Sequence, residues 1–338
     1  MNIKTLVNII ICSLASGTLF GQPLVGETPS KARSVDGSYI SWKEHLIDDP
    51  VMSGVPFNGS DGLVMADLDL DGFEDIVSVH ESDANYDSTV PGETPEAMGH
   101  VRIAFGSDDP DKWVNITLGE GADASAAEDA AISDVNGDGF PDIMVAAELS
   151  HLIYFQNPGQ NIRTQAWERL ILPMTQGRGS YIRVFLADLN GDGFPEAIAP
   201  NKGAQRPTIE DYRQSTAASI YKFSGDPLIG SSWSEIELGF FSNPRNSEPI
   251  DIDGDGDMDI IVGSNGENRI ILFENTDPEN LAFSEHAIGV YGPSTNGFNM
   301  EFVDLNGDGR LDIVGAAGRI LSWFEQPADI HHAWISRP

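Results

Sequence analysis

Short apolar runs bounded by polar turns recur along the chain: "DIVSV", "DIMVA", "EAIAP", "DIIVG" and "DIVGA". Their length and β-branched content predict strands rather than helices. Ahead of most of them stands a second short run, "LVMA", "AAIS", "VFLA" or "MEFV". A third run ends on phenylalanine, as in "RIAFG", "LIYFQN", "IYKFSG", "IILFEN" and "LSWFEQ". A fourth begins on an aromatic residue and alternates: "WKEHLI" at Trp42, "WVNITL", "WERLIL", "WSEIEL" and "FSEHAI" at Phe283. Four short strands per interval of fifty-odd residues predict an all-β chain of four-stranded propeller blades. Phe105, Phe155, Phe223, Phe273 and Phe324 recur in register and are expected in the core. Trp42, Trp113, Trp167 and Trp233 are expected to pack the blades.

Between the first and second strand of each unit lies one pattern, D-x-[DN]-x-D-G-x-x-[DE], found five times. The copies are "DLDLDGFED", "DVNGDGFPD", "DLNGDGFPE", "DIDGDGDMD" and "DLNGDGRLD", their first aspartates 67, 54, 63 and 53 residues apart. Calcium takes six to eight oxygens, and alternate side chains converge on one point only where the chain curls tightly. The sixth-position glycine in every copy permits that curl. The expected ligands are Asp67, Asp69, Asp71 and Asp75; Asp134, Asn136, Asp138 and Asp142; and Asp188, Asn190, Asp192 and Glu196. Asp251, Asp253, Asp255 and Asp259, then Asp304, Asn306, Asp308 and Asp312, complete the set. About five calcium ions, mainly structural, are the expected cofactor.

An EF-hand is excluded by the flanks. It needs a glutamate at position 12 and helices on both sides, whereas position 12 is Ser78, Val145, Ala199, Val262 and Gly315, each in a strand-like run.

These loops and strands resemble the FG-GAP/VCBS repeat family, the calcium-looped propellers that include the integrin α-subunit head. The resemblance spans roughly residues 38 to 338. It implies a β-propeller with a calcium loop between strands 1 and 2 of each blade. Five motifs point to five blades, although many relatives have seven, which stands as the alternative. "WKEHLI" is expected to complete the last blade, with the C-terminal "HHAWIS" competing for that place. The family includes adhesins, lectins and polysaccharide-degrading enzymes, so the resemblance leaves the ligand open.

Residues 1–21 have the layout of a secretory signal peptide, with Lys4 followed by an apolar run, and residues 22–37 form an N-terminal segment before the repeats. The expectation is a secreted or periplasmic protein without a membrane span once the leader is removed. Cys12, the only cysteine, goes with the leader, so no disulfide would staple the loops. The formal charge of −34 makes nucleic acid an unsuitable partner. A polysaccharide, another glycan or an extracellular protein is the expected one.

Because each strand crosses its sheet once, the 2–3 and 4–1 connections share the end opposite the calcium loops. Two long insertions fall there, His80–His100 and Asn201–Thr216, and long loops in a compact domain tend to carry function. Candidate ligand-binding residues at this end are Glu81, Glu128, Asp129, Glu148, Arg183, Asn201, Arg206 and Glu248. The chain has no G-x-S-x-G, H-E-x-x-H or Walker signature, which favours a binding module. The alternative is a polysaccharide lyase or sugar dehydratase working by β-elimination. Such an enzyme needs a base and a charge neutraliser, for which His80, His100, His151, Tyr181, Arg178 and Lys202 are the candidates.

Overall fold

The computed structural model describes residues 29–37, 39–41, 43–82, 99–205, 207–290, 298–317 and 320–337. The expected leader with Cys12, Trp42, most of the first insertion and Arg206 lie outside the described residues. The chain divides into a unit ending at Ile47 and a second running from Asp48 to Pro338. The first contains an antiparallel pair, β1 (Pro29–Arg33) and β2 (Tyr39–Ser41).

The second unit opens with a one-turn helix, α1 (Pro50–Ser53), whose N-cap Asp49 accepts from Met52 N. Five four-stranded antiparallel sheets follow in chain order. Sheet 1 holds β3 (Ser60–Ala66), β4 (Asp75–His80), β5 (His100–Phe105) and β6 (Val114–Glu120). Sheet 2 holds β7 (Ala127–Ser133), β8 (Asp142–Ala147), β9 (His151–Gln156) and β10 (Glu168–Ile171). Sheet 3 holds β11 (Phe185–Ala187), β12 (Glu196–Pro200), β13 (Thr216–Phe223) and β14 (Trp233–Phe241). Sheet 4 holds β15 (Pro244–Ile250), β16 (Asp259–Ser264), β17 (Arg269–Asp277) and β18 (Ala282–Val290). Sheet 5 holds β19 (Asn299–Val303), β20 (Asp312–Ala317), β21 (Ile320–Glu325) and β22 (Ile335–Arg337). The four-strand unit read from the sequence is therefore observed five times.

Two expectations need correction. The fourth strand of sheet 5 comes from the C-terminal "HHAWIS" region, because β22 pairs with β21, while residues 43–49 of the "WKEHLI" region form no strand. The five phenylalanines are also not all in register. Opposite the residue that follows each ninth-position carboxylate stand Phe155, Phe273 and Phe324, but Ala104 in sheet 1 and Tyr221 in sheet 3. Phe105 is displaced by one residue and Phe223 by two, because the preceding loops differ in length.

Successive sheets pack face to face through four apolar seams. Val77, Val79 and Ile103 of sheet 1 meet Val145 and Phe155 of sheet 2. Met144 and Tyr154 meet Ala199 and Tyr221, Ile198 and Ile220 meet Val262 and Phe273, and Ile261 and Leu272 meet Ile313 and Phe324. Each later sheet thus sends one aromatic ring back onto the sheet before it, and sheet 1 has Ala104 in that place. Among the described residues no such seam joins sheet 5 to sheet 1. Leu63 is 56% exposed where its repeat equivalents Ala130, Val184 and Met300 are buried, and Leu321 is 67% exposed where Leu152 and Ile270 are buried.

Candidate functional site

Strand order fixes two working ends. In each sheet the 1–2 and 3–4 connections lie at one end and the 2–3 connection lies at the other.

At the first end, all five sixth-position glycines take φ between 87° and 102°, the left-handed region the tight curl requires. In four loops the first-position carboxylate accepts from the amides of positions 5 and 6, as Asp67 does from Asp71 and Gly72 at 3.0 and 2.9 Å, and Asp251 accepts from positions 4 and 6. In the two all-aspartate loops, carboxylate oxygens of Asp67, Asp69 and Asp71, and of Asp251, Asp253 and Asp255, lie within 4.8 Å of one another. Such an all-oxygen set suits a hard cation. Elsewhere the third-position amide faces the fifth-position carboxylate, with Asn136 Nδ2 donating to Asp138 at 3.0 Å and Asn190 Nδ2 to Asp192 at 3.0 Å. Arg163 reaches across from sheet 2 to Asp69 and Asp71 at 2.6 and 3.0 Å.

The ninth-position carboxylates face inward. Asp75, Asp142, Asp259 and Asp312 each accept from the second-position amide of their own loop and from a backbone amide near the end of the third strand. Glu196 accepts from Leu189 N and from Asn190 Nδ2. Burial pushes Asp75 and Asp142 up to about 6, and Glu196 and Asp259 up to about 7. These five were expected as metal ligands. The four aspartates also tie their loop to the end of strand 3, whereas Glu196 bonds within its own loop.

A second device at this end was not anticipated. Asn157 Nδ2 donates to Leu68 O of sheet 1 at 3.0 Å and to Pro141 O of its own sheet at 2.9 Å. Asn275 does the same to Leu189 O and Met258 O, and Gln326 reaches Ile252 O at 2.6 Å. The amide after "FQ" or "FE" is therefore a latch to the previous sheet.

At the opposite end the structure gathers many of the candidate ligand-binding residues. The pairing of β3 with β4 slips between Ser60 and Gly62, that of β7 with β8 between Ala127 and Asp129, and that of β15 with β16 between Pro244 and Asn246. These are β-bulges, and the extra residues are Asp61, Glu128 and Arg245, all six positions before the first aspartate of their loop. A bulge re-aims the side chain it carries. Gly62 makes the approach possible, since a Cβ there would lie 2.7 Å from Glu128 O. Carboxylate oxygens of Asp61, Glu81 and Glu128 consequently fall within 4.8 Å of one another.

Around this trio, Lys202 Nζ is ion-paired to Glu148, which also accepts from Gln205 at 3.1 Å. Asn243 Nδ2 donates to Lys202 O at 2.8 Å, and Asn201 Oδ1 accepts from Gly203 N at 2.9 Å. Asp129 accepts from Val184 N at 3.1 Å and lies 3.6 Å from Arg183, whose guanidinium sits 4.4 Å above the Phe298 ring. Asn246 donates to Glu248 at 3.3 Å. Burial, with the charges of Glu148 and Asp61, pushes Glu128 up to about 8. Burial takes Asp129 to about 6 against the pull of Arg183, and also raises Glu248.

The proposed elimination residues are not assembled here, with the exception of Lys202. His80 and His100 stand opposite each other on β4 and β5, on the face of sheet 1 turned away from sheet 2. The Phe57 ring lies 4.5 Å from that of His80, and Ser82 bonds His100 Nδ1 at 2.6 Å. Burial pushes His80 down to about 4 and lowers His100 and His151. His151 is enclosed by Ser150 and Asp123 O. Tyr181 is fully buried in the seam between sheets 2 and 3. Arg178 is ion-paired to Glu235 and Glu237 of β14.

The FG-GAP-like repeat pattern matches residues 134–199 and 214–315. The chain belongs to the FG-GAP-like repeat family. Among solved structures, this FG-GAP-like repeat protein is similar to the rhamnogalacturonan lyase PL11 of Bacillus licheniformis, at 17% identity and a TM-score of 0.45. That match covers 78% of this chain but only 48% of the lyase, about half its length. It is also similar to an Agrocybe aegerita lectin that recognises non-reducing terminal N-acetylglucosamine, at 15% identity and a TM-score of 0.49, covering 83% of this chain and 67% of the lectin. No curated protein matches it in sequence. No helix among the described residues is long and apolar enough to cross a membrane.

Asp61, Gln205, Asn243 and Phe298 joined the site without being among the candidates. The signal for Asp61 and Phe298 in the FG-GAP-like sequence is positional, since Asp61, Glu128, Arg245 and Phe298 share one repeat position, while Gln205 lies within the second insertion.

Proposed function

We propose that this FG-GAP-like repeat protein is an exported, calcium-stabilised β-propeller of five blades. It binds a hydroxyl-rich glycan at the end of its sheets opposite the calcium loops. The observation that carries the reading is the set of three bulges that turns Asp61, Glu128 and Arg245 to that end. Beside them stand the pairs Asp129–Arg183 and Glu148–Lys202 and the Phe298 ring. Carboxylates accept from sugar hydroxyls, guanidinium and amide groups donate to them, and an aromatic face covers the apolar side of a ring. Carboxylates outnumber cations here, which favours a neutral glycan over a polyuronate.

Elimination draws less support. Its cations Arg178 and Lys202 are neutralised by Glu235 and Glu148, and its histidines are buried. Calcium is supported by the convergent carboxylates of the first and fourth loops, and export by the leader pattern of residues 1–21.

The test is a glycan array followed by calorimetry on the calcium-loaded protein, with Asp61→Asn and Arg245→Ala as variants. Binding of a neutral glycan that falls at least tenfold in both variants, at unchanged melting temperature, is the expected result. Capture of proteins alone, or ultraviolet-absorbing product from a polyuronate, would overturn it.

A further inference from the structure

A different group of side chains lies at the calcium-loop end, where sheets 4 and 5 meet. Glu274 ends the core-facing stretch of β17, and His286 lies diagonally across on β18, whose partner on β17 is Leu272. His331 comes from the turn that leads into β22 of the next sheet. Two imidazole nitrogens point at one carboxylate oxygen, since His286 Nε2 is 2.8 Å and His331 Nε2 is 2.9 Å from Glu274 Oε2. The two rings lie edge to face, 4.6 Å between centroids. All three ligand atoms fall within 4.8 Å of one another.

We propose that Glu274, His286 and His331 form a binding site for a borderline divalent transition metal such as Zn2+, distinct from the all-oxygen calcium loops. With metal–ligand distances of about 2.0–2.1 Å, tetrahedral donors sit roughly 3.3 Å apart. Side-chain adjustments of a fraction of an ångström open the present cluster to that spacing. Two imidazoles and one carboxylate select zinc, copper or nickel over calcium. The support around the set is also of the right kind, because Asp329 Oδ1 lies 2.9 Å from His331 Nδ1, on the far side of the ring from Glu274. A carboxylate there orients the ring and raises the basicity of the ligating nitrogen. Glu274 and His286 are partly buried and His331 is half exposed, so an ion has a path in. Three protein ligands leave one tetrahedral position for water. Because the donors come from β17, β18 and the β21–β22 connection, a bound ion would pin sheet 4 to sheet 5.

The rival is a plain ionic clasp, in which protonated histidines grip Glu274 and no metal enters. The experiment is a titration of the calcium-loaded full chain at pH 7.5 with Zn2+ by calorimetry and with Co2+ by visible absorption. Expected are one equivalent of zinc with micromolar or tighter affinity, a Co2+ ligand-field band displaced by Zn2+, and a raised melting temperature. The His286→Ala/His331→Ala double variant should lose at least tenfold in zinc affinity and lose the band while keeping its calcium stoichiometry. Absence of a Co2+ band, or equal zinc affinity in the double variant, would overturn the site. The first result would leave the clasp, and the second would put zinc on the acidic loops. The single variant His286→Gln, which keeps a hydrogen-bonding group beside Glu274, guards against a fold defect in the double variant. It should fold as wild type and still lose the band.

Discussion

Glu128 offers the sharpest check on the electrostatics of the bulged end. Its carboxyl titrates at about 8 in the folded protein against 4.5 ordinarily, first because it is buried and then because Glu148 and Asp61 face it. Between those two values the folded state holds a proton that the unfolded state has released. Stability from this group is therefore complete below the unfolded value and drains away as pH rises through the folded one. The slope is about 1.4 kcal/mol per pH unit, which from pH 5 to pH 8 sums to roughly 4 kcal/mol at full weight. Partial solvent contact reduces the expected loss to about 2–3 kcal/mol. Glu128→Gln keeps the shape and removes the titration. Wild type and variant, melted at pH 5, 6, 7 and 8 in the same calcium concentration, should nearly coincide at pH 5. By pH 8 they should separate by about 5–10 °C in the variant's favour, at about 2–4 °C per kcal/mol. Asp129 and Glu248 titrate in both proteins, so the difference between the curves isolates Glu128. Parallel curves, or a variant that melts lower at pH 8, would show that Glu128 carries an ordinary ionised carboxylate and that the trio does not repel as argued.

Chelation should lower the protein's melting temperature by several degrees at neutral pH and weaken cooperativity, since the loop carboxylates then repel without a cation. An unmoved melt in excess chelator would count against metal in the loops. Asn157→Ala strands the carbonyls of Leu68 and Pro141 together. Urea denaturation should report a loss of about 1–3 kcal/mol, and a loss under 0.5 kcal/mol would deny the latch its role. Leu152→Ala should cost about 2–5 kcal/mol while Leu321→Ala, at the matching position of the last sheet but 67% exposed, should stay within about 0.5 kcal/mol. Equal costs would mean that the outer face of sheet 5 is covered in solution.

The strand–loop–strand unit was legible because it needs only local information. The glycine curl and the apolar runs on either side are written within about a dozen residues of each first aspartate. Register was less legible. Phe105 and Phe223 look equivalent to Phe155 by their neighbours, yet pairing depends on how many residues the 2–3 connection spends before β5 and β13 begin. The placement of His80 and His100 followed the same rule. They were assigned to the correct end, but strand alternation turned both onto the side of sheet 1 away from sheet 2. Bulges are harder still to read, since one extra residue shows only when the partner strand is known. Nothing local marks Asp61 as the bulged relative of Glu128 and Arg245. The group around Glu274 depends on His331, 57 residues away, and on the packing of one sheet against the next, which no local pattern encodes.

The back-facing aromatic ring of sheets 2 to 5 has a consequence for the order of assembly. Phe155, Tyr221, Phe273 and Phe324 each need a surface supplied by residues that precede them in the chain. A sheet leaving the ribosome therefore meets its docking partner already made, and none has to wait for a later one to bury its ring. Growth by addition to a finished end keeps contacts close in sequence and limits the time any apolar face is left open. Sheet 1, with Ala104 in place of the ring, is suited to be the seed on which that series begins.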